Sequence, residues 1–350
     1  MTPLYVTSDW HLGAIRSGGT TPATAYQLRL DLLKQFEEML YDIVTDGDLA
    51  INGDLLDTSN VPMADLARVF SVLSDWLVRT GKHFYGITGN HDASKNSTNY
   101  SSFKFLMTLL VEQFPDQVTH VFGGQLIREN CYALSHVDNQ DIFNLELAKV
   151  PECDYVLLHC NYDNHFATES DHSLNLSEEQ AKQLPVKHII MGHEHVGRKA
   201  LGGKVVIVGN PAPSSISDCL NDPVKHLLKI TDDGMELVET WKAEGDFSEQ
   251  DWHELHDTGR FVRVTGTATA AEADRLVTVL ARFRKDAKVL VLSNAVKIEG
   301  FDDAQEFSLS HAEVTSFNVM EALYEYLGPE DSARVKQLME PTKEANVKAA

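Results

Sequence analysis

Asp48-Leu49-Ala50-Ile51-Asn52-Gly53-Asp54-Leu55-Leu56-Asp57 is the stretch on which the fold turns. A short apolar run stopped by a glycine reads as a buried strand, which puts Asp54 just past its carboxyl end. The same arrangement recurs on both sides of it. Leu4–Ser8 leads into Asp9-Trp10-His11, and Lys82–Thr88 into Gly89-Asn90-His91-Asp92. Tyr155–His159 ends on a histidine, and Lys187–Met191 runs into Gly192-His193-Glu194-His195. Tyr26–Thr45, Met63–Thr80 and Ser101–Phe114 carry apolar residues at helical spacing between these runs. Further strands are predicted at Gln117–Phe122, Tyr132–His136 and Val205–Val208. Alternating strands and helices predict an α/β fold whose polar residues gather at the carboxyl edge of a sheet, where such folds place their sites.

The residues delivered there have a chemical logic. Hydrolysis of a phosphate ester is served by two divalent ions about 3.5–4 Å apart, which clamp the attacking and leaving oxygens. Such a pair needs a shared carboxylate and mixed nitrogen and oxygen ligands. Alternation along an extended segment would turn Asp9 and His11 to one side, and likewise His193 and His195. Imidazole, carboxylate and one amide, without sulfur, suit Mn²⁺, Fe or Zn²⁺. Any one segment alone is a weak signal; five in this order are a strong one.

Composition narrows the setting. With 350 residues, 43% apolar and 23% charged, the chain has room for a large core and a smaller appendage. No apolar run approaches the roughly 20 residues of a membrane span. The amino terminus enters a strand-like run without signal-peptide regions, so a cytoplasmic protein with no membrane association is expected. Cys131, Cys153, Cys160 and Cys219 are scattered, with neither a CxxC pair nor a disulfide framework. Cys160 reads as a small residue just past a strand end. The net charge of −22 argues against a wide nucleic-acid grip by this chain alone.

After Trp241 the pattern changes. Ala243–Asp257 is acidic and reads as a linker; Arg260–Gly266, Ala270–Arg284 and Ala287–Glu299 then read as strand, helix and strand. Thr315–Leu327 and Asp331–Met339 read as two helices separated by Gly328-Pro329. The domains expected are therefore 1–242, catalytic; 258–300 extending to about 310, a small α+β module; and 313–340, terminal helices.

The motifs Asp9-x-His11, Gly53-Asp54-x-x-Asp57, Gly89-Asn90-His91-Asp92, His159 and Gly192-His193-x-His195 resemble the calcineurin-like metallophosphoesterase superfamily. The resemblance covers roughly the first 210 residues. It implies a four-layer α/β/β/α metallophosphoesterase sandwich. It also implies that Asp9, His11, Asp54 and His195 hold one metal, and Asp54, Asn90, His159 and His193 the other, most typically as Mn²⁺ with Fe or Zn²⁺ as variants. His91 would face the substrate as general acid, with Asp57 orienting it through a hydrogen bond.

Within the superfamily the chain is most similar to the SbcD-type nuclease that processes DNA double-strand breaks. The similarity is carried by Thr7-Ser8-Asp9-Trp10-His11-Leu12-Gly13, by Gly53–Thr58 followed by Pro62, by Gly209-Asn210-Pro211-Ala212-Pro213-Ser214-Ser215, and by Arg260-Phe261-Val262-Arg263-Val264. It implies a DNA exonuclease on duplex ends with single-strand endonuclease activity, as part of a repair or recombination complex. The module at 258–300 would cap DNA. The terminal helices, with Phe317, Met320, Leu323, Tyr324 and Leu327 on one face, would dock on an SbcC-like ABC-type coiled-coil ATPase or pack on their own domain; a homodimer fits the same scheme.

Three departures bear on DNA binding. Ser17–Thr24 does not closely match the family, the loop after His159 is idiosyncratic, and the module has little basic density beyond Arg282, Arg284, Lys285 and Lys288. Delegating the DNA grip to an ATPase would reconcile the acidic chain with nuclease work. The alternatives are a stand-alone phosphodiesterase or phosphatase acting on nucleotides or phosphoproteins, which the acidity favours, and a non-catalytic scaffold, which the complete motif set disfavours. Asp92 reads as a residue supporting the ligands from behind or a turn residue, and Glu194 as pointing away from the metals. His165 and His172 are placed on a loop, and His83, His120, His136, His188 and His226 are read as structural.

Overall fold

The computed structural model describes residues 2–14, 22–94, 100–137, 139–164, 174–257, 259–286 and 289–299. Ser17–Thr21, His165, His172 and the terminal helices expected at 313–340 lie outside them. Contacts group Met1–Lys297 into one compact unit, with Ile298–Ala350 forming another.

Strands β1 (Leu4–Thr7), β2 (Asp48–Asn52), β3 (Phe84–Ile87) and β4 (Val118–Val121) run parallel, side by side. The chain then crosses to a second sheet through β5 (Gly124–Arg128), β6 (Cys131–Leu134) and β7 (Cys153–His159). Beyond His159 the short β8 (Asn161–Tyr162) and β9 (Asn175–Leu176) pair with each other. The second sheet is completed by β10 (Val186–Gly192), β11 (Arg198–Ala200) and β12 (Val205–Ile207), in the order β11-β12-β10-β7-β6-β5. A hairpin of β13 (Val224–Thr231) and β14 (Gly234–Lys242) returns to the first sheet, giving β14-β13-β1-β2-β3-β4.

Side-chain alternation decides which layers meet. Leu4, Val6, Ala50, Ile87 and Val121 of the first sheet pack directly on Ala133, Leu157 and Ile190 of the second. The first sheet's other face, with Tyr5, Leu49, Ile51 and Phe84, is covered by Leu32 and Phe36 from the Pro22–Glu38 helix, by Leu73 and Trp76 from the Met63–Thr80 helix and by Phe103 and Leu106 from the Ser102–Gln113 helix. The second sheet's other face packs Val156, Leu158 and Ile189 on Phe143, Leu147 and Ala181, from the helices Gln140–Leu147 and Glu178–Gln183. The result is the four-layer α/β/β/α sandwich. Among the described residues no helix is long and apolar enough to cross a membrane.

The stretch expected to be a linker is structured. β15 (Phe247–Asp251) pairs in parallel with β16 (Phe261–Thr265), which pairs in parallel with Val291–Asn294. The helix Ala273–Asp286 joins the last two strands of this small sheet. The acidic composition hid a strand whose order comes from pairing with β16 rather than from its own propensity. This module rests on the catalytic body through Leu28, Ile216, Cys219, Trp241, Phe261 and Val291. Arg260 adds ion pairs to Asp246 and Asp31, and the Trp241 indole donates to Asp246 at 2.6 Å.

Candidate metal centre

Both sheets present the carboxyl ends of their parallel strands to one edge, and the motif loops meet there. The loop after β1 is stitched to the loop after β2: Asp9 N donates to Gly53 O (3.1 Å), His11 N to Asp54 O (3.1 Å) and Leu12 N to Leu55 O (2.9 Å). The sheets are tied across the gap by Asn52, whose amide donates to Leu158 O at 2.8 Å. Asp92 is fully buried and accepts from Leu56 N (2.9 Å) and Gly89 N (3.1 Å), fastening the Asn90-His91 loop to the Asp54 loop.

The backbone here is forced out of its usual range. Asp9, His11, Asp54 and His193 have φ of 57°, 46°, 52° and 88°. A non-glycine residue in this left-handed region costs about 1–3 kcal/mol, and such residues cluster at functional sites. Strand alternation therefore does not bring Asp9 and His11 together, as the sequence suggested; a left-handed turn held by the Gly53–Leu55 backbone does. The tightness also explains two motif glycines. A Cβ on Gly53 would stand 2.1 Å from His159 Nδ1, and one on Gly89 2.1 Å from Asp54 Oδ1.

Among the described residues, three groups of potential ligand atoms result, each lying within 4.8 Å: Asp9, His11 and His195; Asp54, His159 and His193; and His11, Asp57 and His91. His159 Nδ1 faces the carbonyl of Asn52 at 2.8 Å and must donate to it, which leaves a lone pair on Nε2 in the neutral ring. That lone pair faces Asp54 Oδ2 at 3.1 Å and Asn90 Oδ1 at 3.0 Å, while His193 Nδ1 lies 3.0 Å from the same amide oxygen. On the other side His11 Nε2 and His195 Nε2 approach to 3.1 Å, with Asp9 and Asp54 oxygens each 3.9 Å from His11.

Converging lone pairs of this kind need positive charge at their centre. The electrostatics agree. Burial would raise the Asp54 carboxyl, yet the surrounding histidines, His159 foremost, hold it far below its usual range. Burial would lower the His159 pKa, yet Asp54 drives it up. The donor set thus fits divalent cations, and the second nitrogen of the His159 ring is secured on Asn52 O as in well-built metal sites. His11 Nδ1 lies 3.3 Å from Asp57 Oδ1, and His195 Nδ1 lies 3.9 Å from Asp218 Oδ1.

His91 is exposed at the mouth of this buried cluster. Its Nδ1 donates to the carbonyl of Asp57 at 2.6 Å, so the bond between these two residues runs through the backbone while the Asp57 carboxylate turns to His11. The His91 and His11 rings meet edge-on, 4.8 Å between centroids. Glu194 turns away from the cluster, accepting from Tyr162 N (2.8 Å) and pairing with Arg198 (2.8 Å). Cys160 is buried, and burial pushes its thiol up, which suits neither a nucleophile nor a ligand.

Sequence reasoning missed two residues. Lys225 is fully buried beneath the second histidine pair, its Nζ donating to His195 O (3.2 Å) and Asp222 (3.0 Å). His136, read as structural, follows β6 and donates its N–H to Thr88 O at 2.9 Å, which ties it to the strand that leads into Asn90. Neither belongs to a motif. A lysine inside an apolar strand, Val224–Thr231, was the available signal for the first.

Residues 2–197 match the family model described as calcineurin-like phosphoesterase. The chain belongs to the calcineurin-like phosphoesterase family, and is thereby a metal-dependent hydrolase of phosphate esters or diesters. Among solved structures it is similar to a novel archaeal phosphodiesterase, at 11% identity and a TM-score of 0.34, covering 68% of this chain and 99% of that one. It is also similar to a cold-active protein-tyrosine phosphatase of a psychrophilic Shewanella species, at 12% identity and a TM-score of 0.37, covering 69% of this chain and 81% of that one. A comparison with curated protein sequences returns no relative.

Proposed function

We propose that this protein is a DNA nuclease, acting on duplex ends as exonuclease and on single strands as endonuclease, and serving as nuclease subunit of an SbcCD-like repair or recombination complex. One structural observation supports this reading beyond the motifs: the module formed by β15, β16, Val291–Asn294 and the Ala273–Asp286 helix is seated on the catalytic body. It occupies the place in the chain where the SbcD-type nucleases carry their DNA-capping domain.

In this reading Asp9, His11, Asp54 and His195 hold one divalent ion, and Asp54, Asn90, His159 and His193 the other, with Mn²⁺ the expected metal. Bound there, the ions would supply Lewis acidity. The chain's own residues do the rest. His91 stands at the mouth with Nδ1 fixed on the Asp57 carbonyl, so Nε2 is the atom that meets the leaving oxygen and gives it a proton. The Asp57 carboxylate sets the His11 ring. The net charge of −22 is accommodated if an ABC-type ATPase partner grips the DNA, within a cytoplasmic assembly that also allows a homodimer.

The same charge favours a second reading, a stand-alone phosphodiesterase or phosphatase on nucleotides or phosphoproteins. The two separate in an assay of end-labelled linear DNA with Mn²⁺, with and without the candidate ATPase. Degradation is expected. Hydrolysis of small diesters with no cleavage of DNA, even with the ATPase present, would remove the nuclease reading and leave the second.

A further inference from the structure

Beside the Asp54–His159–His193 group, on the side away from His11, three pieces of chain are stitched into one rim. Thr88, two residues before Asn90, donates its N–H to Ser135 Oγ at 3.3 Å, and its carbonyl accepts from His136 N at 2.9 Å. Ser135 Oγ donates in turn to Val121 O at 2.6 Å, and Ser135 N donates to Gly123 O at 3.0 Å. The register of β6 against β7 aligns Leu134 with Leu158, so the chain leaving β6 passes beside His159. The rim is therefore fixed by hydrogen bonds to the loop that carries Asn90 and His91.

Two rings stand on it. Phe122, the residue after β4, is 63% exposed. Its position is fixed from behind: the His120 ring lies 4.0 Å from it, and His120 is itself held by Thr88 Oγ1 (3.2 Å) and the edge of Phe103 (5.5 Å). Burial keeps His120 neutral at physiological pH, so the stack presents an uncharged aromatic face. His136, the second ring, is half-buried at the same rim, on the chain that leaves β6 beside His159, with its N–H fixed on Thr88 O at 2.9 Å. An exposed, backed aromatic ring next to a phosphate-handling centre has the parts of a base platform, since every nucleobase offers a π-face to stack on.

We infer that Phe122 and His136 form a nucleoside subsite beside the metal centre, in which a base of the substrate stacks on Phe122 while His136 contacts the sugar–phosphate next to it. The inference rests on the nucleic-acid reading above and sharpens it. A substrate must present an unstacked base to use the site, which favours single-stranded or frayed ends over intact duplex.

The test compares two diesters with the same leaving group in the Mn²⁺-loaded full chain: thymidine 5′-(p-nitrophenyl phosphate) and methyl p-nitrophenyl phosphate. The ratio of their kcat/KM values measures the contribution of the nucleoside. Base–aromatic stacking predicts that Phe122→Ala lowers this ratio by about 5- to 100-fold, and that Phe122→Trp keeps it. His136→Ala is expected to raise KM for the thymidine diester with kcat little changed. Circular dichroism and metal content of each variant establish that fold and centre are intact. A wild-type ratio near one, a ratio that survives Phe122→Ala, or a His136→Ala defect confined to kcat would overturn the subsite. None of these outcomes depends on DNA cleavage, whose failure in the end-labelled assay would count against the nuclease reading alone.

Discussion

The two halves of the candidate metal centre are built differently. The half formed by Asp54, Asn90, His159 and His193 stands on strand ends of both sheets, and His159 is buried with Nδ1 locked on Asn52 O at 2.8 Å. The half that includes His195 depends on a loop. The His195 side chain is 30% exposed, its Nδ1 partner Asp218 is 3.9 Å away, and its carbonyl is held from below by Lys225. Asp222 completes that support, accepting from Gly197 N at 3.1 Å and pairing with Lys225 at 3.0 Å. One half is held at strand ends of both sheets; in the other, His195 is the more exposed member and is supported from the segment Gly209–Lys225.

That contrast can be broken at several points. The severest is Gly53→Ala, because the added carbon would stand 2.1 Å from the His159 ring at a backbone φ of 90°. Metal uptake by the rigid half should be lost, read as a fall of metal content in mass spectrometry. Normal uptake would show that this half is less tightly built than described. Next is His91→Ala, which touches neither half as a ligand. It should lower kcat by roughly 10²–10⁴-fold with metal content unchanged. Loss of metal alongside activity would make His91 a ligand instead.

Chelation comes third. Stripping the ions leaves converging lone pairs without a cation, so the melting temperature should fall. A ligand at 100 times its Kd stabilises by about 2.7 kcal/mol. A melting curve indifferent to chelator would argue against a resident metal. The smallest effect belongs to the loop half. Lys225→Met should weaken one of the two metal-binding steps by about 10–100-fold, as loss of an outer support typically does, and leave the other step intact. Equal weakening of both steps in calorimetric titration would erase the distinction between the halves.

Much of the site was legible because its residues follow short, strongly apolar strands. Asp48–Asn52 and Met63–Thr80 are found in the structure with the bounds their patterns predict. What escaped was set by tertiary pairing. β5 and the β13–β14 hairpin carry polar and charged residues at exposed positions and take their order from neighbouring strands. β15 looked like an acidic linker for the same reason. In the site, the spacing of Asp9 and His11 was legible but its cause was not: an alternation rule expects extended backbone, and the structure uses left-handed turns. His136 and Lys225 escaped because a lone histidine after a strand or a lone lysine within one carries no pattern; only the fold shows what lies beside it.

The most direct measurement is metal stoichiometry. Chain loaded with excess Mn²⁺ and freed of unbound ion should retain two ions per molecule and hydrolyse a phosphodiester, while Asp54→Ala, which removes the carboxylate proposed to be shared, should retain fewer and lose the activity. Wild-type chain that binds no ion, or an Asp54→Ala variant that keeps both ions and full activity, would contradict a dinuclear centre bridged by Asp54.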